Sequence, residues 1–306
     1  MRVVFLGTAG SIPTPQRSLP AIAVQRKGEV ILFDCGEGTQ RQMIRAGTSF
    51  HRKTKVFITH MHGDHVLGLP GLFQTMSLLD REKKLEVYGP PGIKMFVETT
   101  QQTVQFTCTF PIKVSEIESA HTICDEKEYE VHAIQVNHVI PSLAYALTEK
   151  TRPGKFHPEK ALALGVPEGS LWSKLQHGSA VELLNGRVVN PEEVLGPPRS
   201  GRKIVYTGDT RSVKKLAELA ENADLLIHEA TFDDELEEKA REDGHSTPSQ
   251  AAETAKKAET KRLVLTHISA RYRDSSLLLE QAKKVFPRVD VAEDFMEISI
   301  PYTEDS

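Results

Sequence analysis

The chain has 306 residues, of which 39% are hydrophobic and 26% charged, proportions that exclude a disordered, collagen-like or coiled-coil protein. Its 38 basic and 42 acidic side chains leave a net charge of −4, so a polyanion is not attracted at long range and any nucleic acid must be met by local basic patches. No apolar run approaches the roughly 18 residues of a membrane span. Cys35, Cys108 and Cys124 are too scattered for a disulfide framework or a cysteine zinc site. The expectation is a cytoplasmic protein without signal peptide or membrane contact, built as one large domain with an insertion.

In chain order, Val3 to Leu6, Ala21 to Val24 and Val30 to Phe33 are short β-rich runs separated by Gly and Pro, the pattern of an antiparallel meander. A helix over Thr39 to Ala46 closes at Gly47, and the strand Val56 to Thr59 ends at His60. Further strands are expected at Leu85 to Tyr88, Tyr129 to Asn137, Leu143 to Leu147, Ile204 to Thr207, Leu225 to Ile227 and Leu263 to Thr266. Spacings of three and four predict helices at Ile93 to Thr103, Ser212 to Glu221, Asp233 to Glu242, Pro248 to Ala258 and Ser275 to Val285. Thr247, Pro248 and Gln250 supply an N-cap, a first-position proline and a capping-box partner, which puts His245 on the loop before that helix. Residues 150–203, broken by Pro153, Pro158, Pro167, Pro191, Pro197 and Pro198, are expected to be an inserted arm. The class is mixed α and β.

His60-Met61-His62-Gly63-Asp64-His65 places three imidazoles and a carboxylate directly after an apolar strand. Four such groups would rarely be satisfied separately inside a core, whereas a borderline-soft zinc ion accepts both imidazole nitrogen and carboxylate oxygen. Magnesium, which wants oxygen ligands, fits less well. Continued strand alternation would put His62 and Asp64 on the side of His60 and free His65 to point elsewhere, so one hexapeptide could serve two ions.

The hexapeptide resembles the HxHxDH motif of the metallo-β-lactamase superfamily, and His138, Asp209 and His267 follow in the order of that superfamily's remaining ligands. The resemblance implies a four-layer αββα fold. It also implies two Zn²⁺ per chain, with Mn²⁺ as a substitute: His60, His62, His138 and Asp209 hold one ion, Asp64, His65, His267 and the bridging Asp209 the other, and a hydroxide between them is the nucleophile.

His228-Glu229-Ala230-Thr231 and His245-Ser246-Thr247 resemble the HEAT and HST motifs of the ribonuclease Z family, whose short form matches along nearly the whole chain. Gly7-Thr8-Ala9-Gly10, Phe33-Asp34-Cys35-Gly36-Glu37-Gly38-Thr39-Gln40 and Gly68-Leu69-Pro70-Gly71-Leu72 add to the likeness. The resemblance implies an endoribonuclease that removes the 3′ trailer of precursor tRNA near the discriminator base, acting as a homodimer. Asp64, His245 and Glu229 would be catalytic: Asp64 as a proton acceptor, His245 as the acid for the leaving 3′ oxygen, Glu229 holding it protonated. His228, on the opposite strand face from Glu229, is expected to pack structurally. Residues 150–180 would form the flexible substrate arm, with Arg152, Lys155 and Lys160 on tRNA phosphates, and Arg271 would hold a phosphate near the site. Two local departures from the family are Ser170 after Gly165-Val166-Pro167-Glu168-Gly169, and Pro13-Thr14-Pro15-Gln16-Arg17-Ser18, which keeps Pro13 and Arg17 of that loop. A zinc phosphodiesterase or arylsulfatase for small anionic esters is the alternative enzyme, and a non-catalytic RNA-binding subunit the alternative of another class.

Overall fold

The computed structural model describes residues 1–302. They divide into a first unit of Met1–Glu126, Glu130–Thr148 and Lys203–Pro301, and a second of Lys127–Tyr129, Glu149–Arg202 and Tyr302.

The first unit begins as expected, with Arg2–Gly7, Ala21–Arg26 and Glu29–Phe33 pairing antiparallel. The parallel strands Lys53–Phe57, Leu85–Gly89 and Ile112–Glu116 extend this sheet, and Glu297–Ser299 returns beside Arg2–Gly7 to make it seven-stranded. Alternation along Glu29–Phe33 serves two cores at once. Val30 and Leu32 pack with Met43, Leu72, Phe73 and Val97 of the helices Thr39–Arg45, Leu69–Leu78 and Ile93–Thr103. Phe33 points the other way, to Tyr145 and Tyr206 of a second sheet, at ring separations of 6.0 and 5.8 Å.

That second sheet is also seven-stranded, in the order Val289–Val291, Leu263–Thr266, Leu225–Glu229, Lys203–Tyr206, Ser142–Glu149, Tyr129–Val136, His121–Asp125. Its outer face packs Val205, Leu226, Leu263 and Leu265 against Ala251, Ala252, Ala255 and Ala282 of the helices Pro248–Lys257 and Ser276–Lys283. The alanines let these helices lie close to the strands. Helices, sheet, sheet and helices are therefore the four layers of the expected αββα arrangement.

Three differences from the sequence reading have local causes. Ile112–Glu116 and His121–Asp125 were hidden because they are edge strands with mixed polar sequences, Ile-Lys-Val-Ser-Glu and His-Thr-Ile-Cys-Asp. Leu69–Leu78 is a helix despite Pro70 and Gly71: the proline occupies the first turn, and a Cβ at Gly71 would lie 2.5 Å from Gln40 Nε2. The acidic stretch expected as one helix from Asp233 to Glu242 is instead a 3₁₀ turn, Asp234–Leu236, capped by the Asp233 carboxylate, followed by the helix Glu237–Asp243.

The second unit has short helices Pro158–Ala163, Ser170–Gln176 and Pro191–Val194 and a two-stranded ribbon, Val181–Glu182 with Val188–Val189. Ala161, Val166, Leu175, Val181, Val189 and Val194 form its own small core, with Phe156 and Trp172 packed against it. The prolines that hid its periodicity begin two of these helices. Among the described residues, no helix is long and apolar enough to cross a membrane.

Candidate metal centre and its buried histidine–glutamate pair

The parallel strands of the first unit end where the chemistry gathers. Asp34 follows Glu29–Phe33, His60 lies just beyond Lys53–Phe57, Asp209 follows Lys203–Tyr206, Glu229 ends its strand, and His267 follows Leu263–Thr266. Asp34 and His267 take left-handed backbone angles, φ 56° and 58°, which turn the chain sharply at those ends. Beyond His60 the extended chain stops at His62, and Gly63–Val66 is one helical turn. Asp64 and His65 are thus presented by a turn, and the strand alternation expected there does not apply; His65 faces the same cluster as His60, their rings 4.1 Å apart.

Two overlapping groups of ligand atoms result. His62 Nδ1 lies 3.1 Å from His60 Nε2 and 3.2 Å from His138 Nε2. Asp64 Oδ2 lies 3.4 Å from both His65 Nε2 and His267 Nε2, which are 3.3 Å from each other. Asp209 Oδ2 spans the two groups, at 3.7 Å from His60, 3.4 Å from His65 and 3.2 Å from His267. All seven sequence-predicted ligands are brought together.

The proton inventory shows that these residues fit a cation. His65 gives its Nδ1 proton to Asp34 Oδ2 at 2.7 Å, and His138 gives its own to the Gly244 carbonyl at 2.8 Å. His60 Nδ1 is 3.0 Å from the Thr59 hydroxyl, which donates to Asp34. With the outward nitrogens so occupied, the inward ones present lone pairs toward one another and toward Asp209, an arrangement that positive charge between them satisfies. Among the described residues, Asp209 Oδ1 is buried with no hydrogen-bond partner, a lone pair that a cation would satisfy. Burial raises the Asp209 carboxyl, but His267 and His65 outweigh it and hold it well below the usual carboxylate range. Burial, with His65 adding to it, holds His60 well below its ordinary value and keeps its imidazole neutral.

Beside this cluster, His245 Nδ1 donates to Glu229 Oε1 at 2.9 Å, with both side chains buried. Burial lowers the His245 pKa, but the Glu229 carboxylate more than reverses this and pushes it up to about 9. Glu229 is held rigidly: Oε1 also accepts from Thr210 N at 2.9 Å, and Oε2 from Thr231 N at 3.1 Å. Thr247 and Gln250 form the expected capping box, so His245 sits on the loop leading into Pro248–Lys257. His228 is fully buried, with its Nδ1 2.7 Å from the Glu229 backbone carbonyl.

His245 and Arg271 both line a cavity of about 650 Å³, together with Ser11, Phe232 and Lys239. Arg271 lies with its guanidinium 4.7 Å above the Phe232 ring, and its Nε donates to Ser269 Oγ at 3.2 Å. Arg152, Lys155 and Lys160 belong to the second unit. There Lys155 and Lys160 are exposed, while the Arg152 guanidinium lies 3.5 Å from the Tyr302 ring centroid.

The sequence reading gave no role to Asp34, Thr59 or Thr231. Asp34 binds His65, Thr59 and the Tyr206 hydroxyl, the last at 2.8 Å. A signal existed for the first and last of them: a carboxylate directly after the apolar strand of the Phe33-Asp34 motif, and a threonine inside His228-Glu229-Ala230-Thr231.

Comparison with known proteins gives the same picture. A profile described as "Beta-lactamase superfamily domain" matches residues 174–268, and one described as "Anti-Pycsar protein Apyc1" matches residues 1–151. The ribonuclease Z of Methanosarcina acetivorans is 49% identical over 303 residues, covering 99% of both chains. That of Haloferax volcanii is 47% identical over 99% of this chain and 96% of its own. The crystal structure of human tRNase Z, short form, superposes with a TM-score of 0.73 at 34% identity, covering 98% of this chain and 100% of that one. With this fold and this identity along its whole length, the chain belongs to the ribonuclease Z family of metallo-β-lactamase-fold endonucleases.

Proposed function

We propose that the chain is a zinc-dependent endoribonuclease that removes the 3′ trailer from precursor tRNA, cutting near the discriminator base and leaving a 3′-hydroxyl on the tRNA. The observation that carries this reading is the buried His245–Glu229 pair, 2.9 Å apart, set against a two-part ligand cluster that shares Asp209. Cutting a phosphodiester between two nucleotides is helped by positive charge against the phosphoryl oxygens and by an acid for the poor alkoxide leaving group, and the arrangement offers a place for the first and a candidate for the second.

His60, His62, His138 and Asp209 would hold one zinc ion and Asp64, His65, His267 and Asp209 the other, with manganese able to substitute. When bound, the two cations supply positive charge for the phosphoryl oxygens and bring the pKa of a water nucleophile down toward about 7. Asp64 is fixed by the Ser11 amide, which donates to its Oδ2 at 3.0 Å, and it is placed to take the proton of the attacking water. Glu229 occupies the Nδ1 side of His245, so the Nε2 proton is the one handed to the departing 3′ oxygen. Arg271, oriented by Phe232 and Ser269 on the rim of the same cavity, pairs with a phosphate next to the scissile one. Lys155, Lys160 and Arg152 of the second unit act as a phosphate-binding arm, and the active species is a homodimer.

The test is to incubate the protein with an end-labelled precursor tRNA beside Asp64→Ala and map the cut to the nucleotide. A cut at the discriminator, absent in Asp64→Ala, is expected. No cut, while a small aryl phosphodiester is still hydrolysed, would refute the tRNA reading and favour the small-ester enzyme.

A further inference from the structure

The cluster contains two relays of the same construction. In one, the Thr59 hydroxyl donates to Asp34 Oδ1 at 3.0 Å and lies 3.0 Å from His60 Nδ1. In the other, the Thr231 hydroxyl donates to Glu229 Oε2 at 2.7 Å and lies 2.8 Å from His267 Nδ1. A hydroxyl has one proton. Once that proton is committed to a carboxylate, the oxygen can only accept from the imidazole, which fixes the proton on Nδ1 and leaves Nε2 bare. For His267 the bare atom is the one 3.2 Å from Asp209 Oδ2 and 3.4 Å from Asp64 Oδ2.

The two relays differ in what else the carboxylate holds. Asp34 binds a second cluster histidine, His65, whereas Glu229 binds His245, which lies outside the ligand set. Thr231 is therefore the side chain through which the proton-donating pair and the cation site share one carboxylate. It is 4% exposed, and its hydroxyl also lies 3.3 Å from His245 Nδ1, so no water replaces it without competing for these groups.

We propose that Thr231 is a positioning residue: it fixes the His267 tautomer and rotamer for the cation site and, through Glu229, ties that setting to the orientation of His245. The role assigned to His245 rests on the endonuclease reading above; the part concerning His267 does not.

Thr231→Val keeps the shape and removes the hydroxyl, leaving the His267 Nδ1 proton buried without an acceptor. Zinc retention, measured by competition with a chromogenic chelator, should fall about 10–100-fold, the usual effect of losing a group that orients a ligating histidine. Turnover of a precursor tRNA at saturating zinc should fall in kcat with KM unchanged within about twofold. Thr231→Ser restores the hydroxyl and should recover both quantities, and Thr231→Ala provides a second hydroxyl-free variant should valine disturb folding, which circular dichroism would show. Parental zinc affinity and kcat in Thr231→Val or Thr231→Ala, or a Thr231→Ser variant as impaired as they are, would overturn the proposal. The chelator readout involves no RNA, so a failure of the tRNA reading would leave it intact.

Discussion

Glu229 and His245 form one buried pair, held in place by its neighbours. Glu229 receives hydrogen bonds from Thr210, Thr231 and His245, and this fixed carboxylate keeps His245 charged at neutral pH in spite of burial. Glu229→Gln removes the charge but not the shape, and kcat on precursor tRNA should fall about 10²–10⁴-fold, as should that of His245→Ala. Because both changes remove one proton donor, the double variant should be no slower than the worse single one. Replacing the natural leaving group by an aryl oxide, which needs no proton, should recover most of the loss. Additive losses, or equal losses on the aryl ester, would contradict the acid role.

At the scale of elements, strand and helix ends set the geometry. Residues at the C-terminal ends of parallel strands meet from both sheets, and the loop bearing His245 is fixed by the helix that follows it. Gly244 takes φ 85° there, and a Cβ on it would lie 2.7 Å from His138 Nδ1. This close approach lets the Gly244 carbonyl orient a predicted ligand. The Thr247 cap holds the other side of the loop. Thr247→Ala should cost about 0.5–2 kcal/mol in denaturant unfolding with the slope unchanged. A change under a few tenths would show that packing of Ala251, Ala252 and Ala255, not the cap, fixes the helix start.

At the scale of the molecule, residues 155–195 of the second unit carry a small core of their own. Gly196 N donates to the Lys155 carbonyl at 2.8 Å, so excision of residues 155–195 joins ends that already lie together. On the proposed function, the excised protein should hydrolyse a small aryl phosphodiester within about twofold of the parent but lose about 100-fold in kcat/KM on precursor tRNA, mainly through KM. Its salt dependence should also flatten, because each lost phosphate contact reduces the log–log slope by about 0.7–0.9. Unchanged tRNA cleavage would remove the arm from the mechanism.

Much of this was present in the sequence. The hexapeptide from His60 to His65 is local, so its chemistry could be read without a fold, and the capping box before Pro248 announced the loop of His245. His138, Asp209 and His267 became candidate ligands only by family resemblance, since nothing in the spacing of 60, 138, 209 and 267 brings them together. The orientation of His65 was misjudged because alternation was extended across a segment that turns helical. Asp34 and Thr231 escaped because their role depends on which hydroxyl proton goes where, and a hydrogen bond between residues 231 and 267 is set by strand pairing, not by sequence distance. The sequence alone determined the residue types of the hexapeptide, the strand end that carries it and the mixed α and β class, because local pattern and composition encode these directly, while the αββα arrangement came with the family resemblance. Only the tertiary structure decided which nitrogen of each histidine faces the cluster and which carboxylate holds it, because those choices belong to contacts between strands that the chain joins through long and irregular connections.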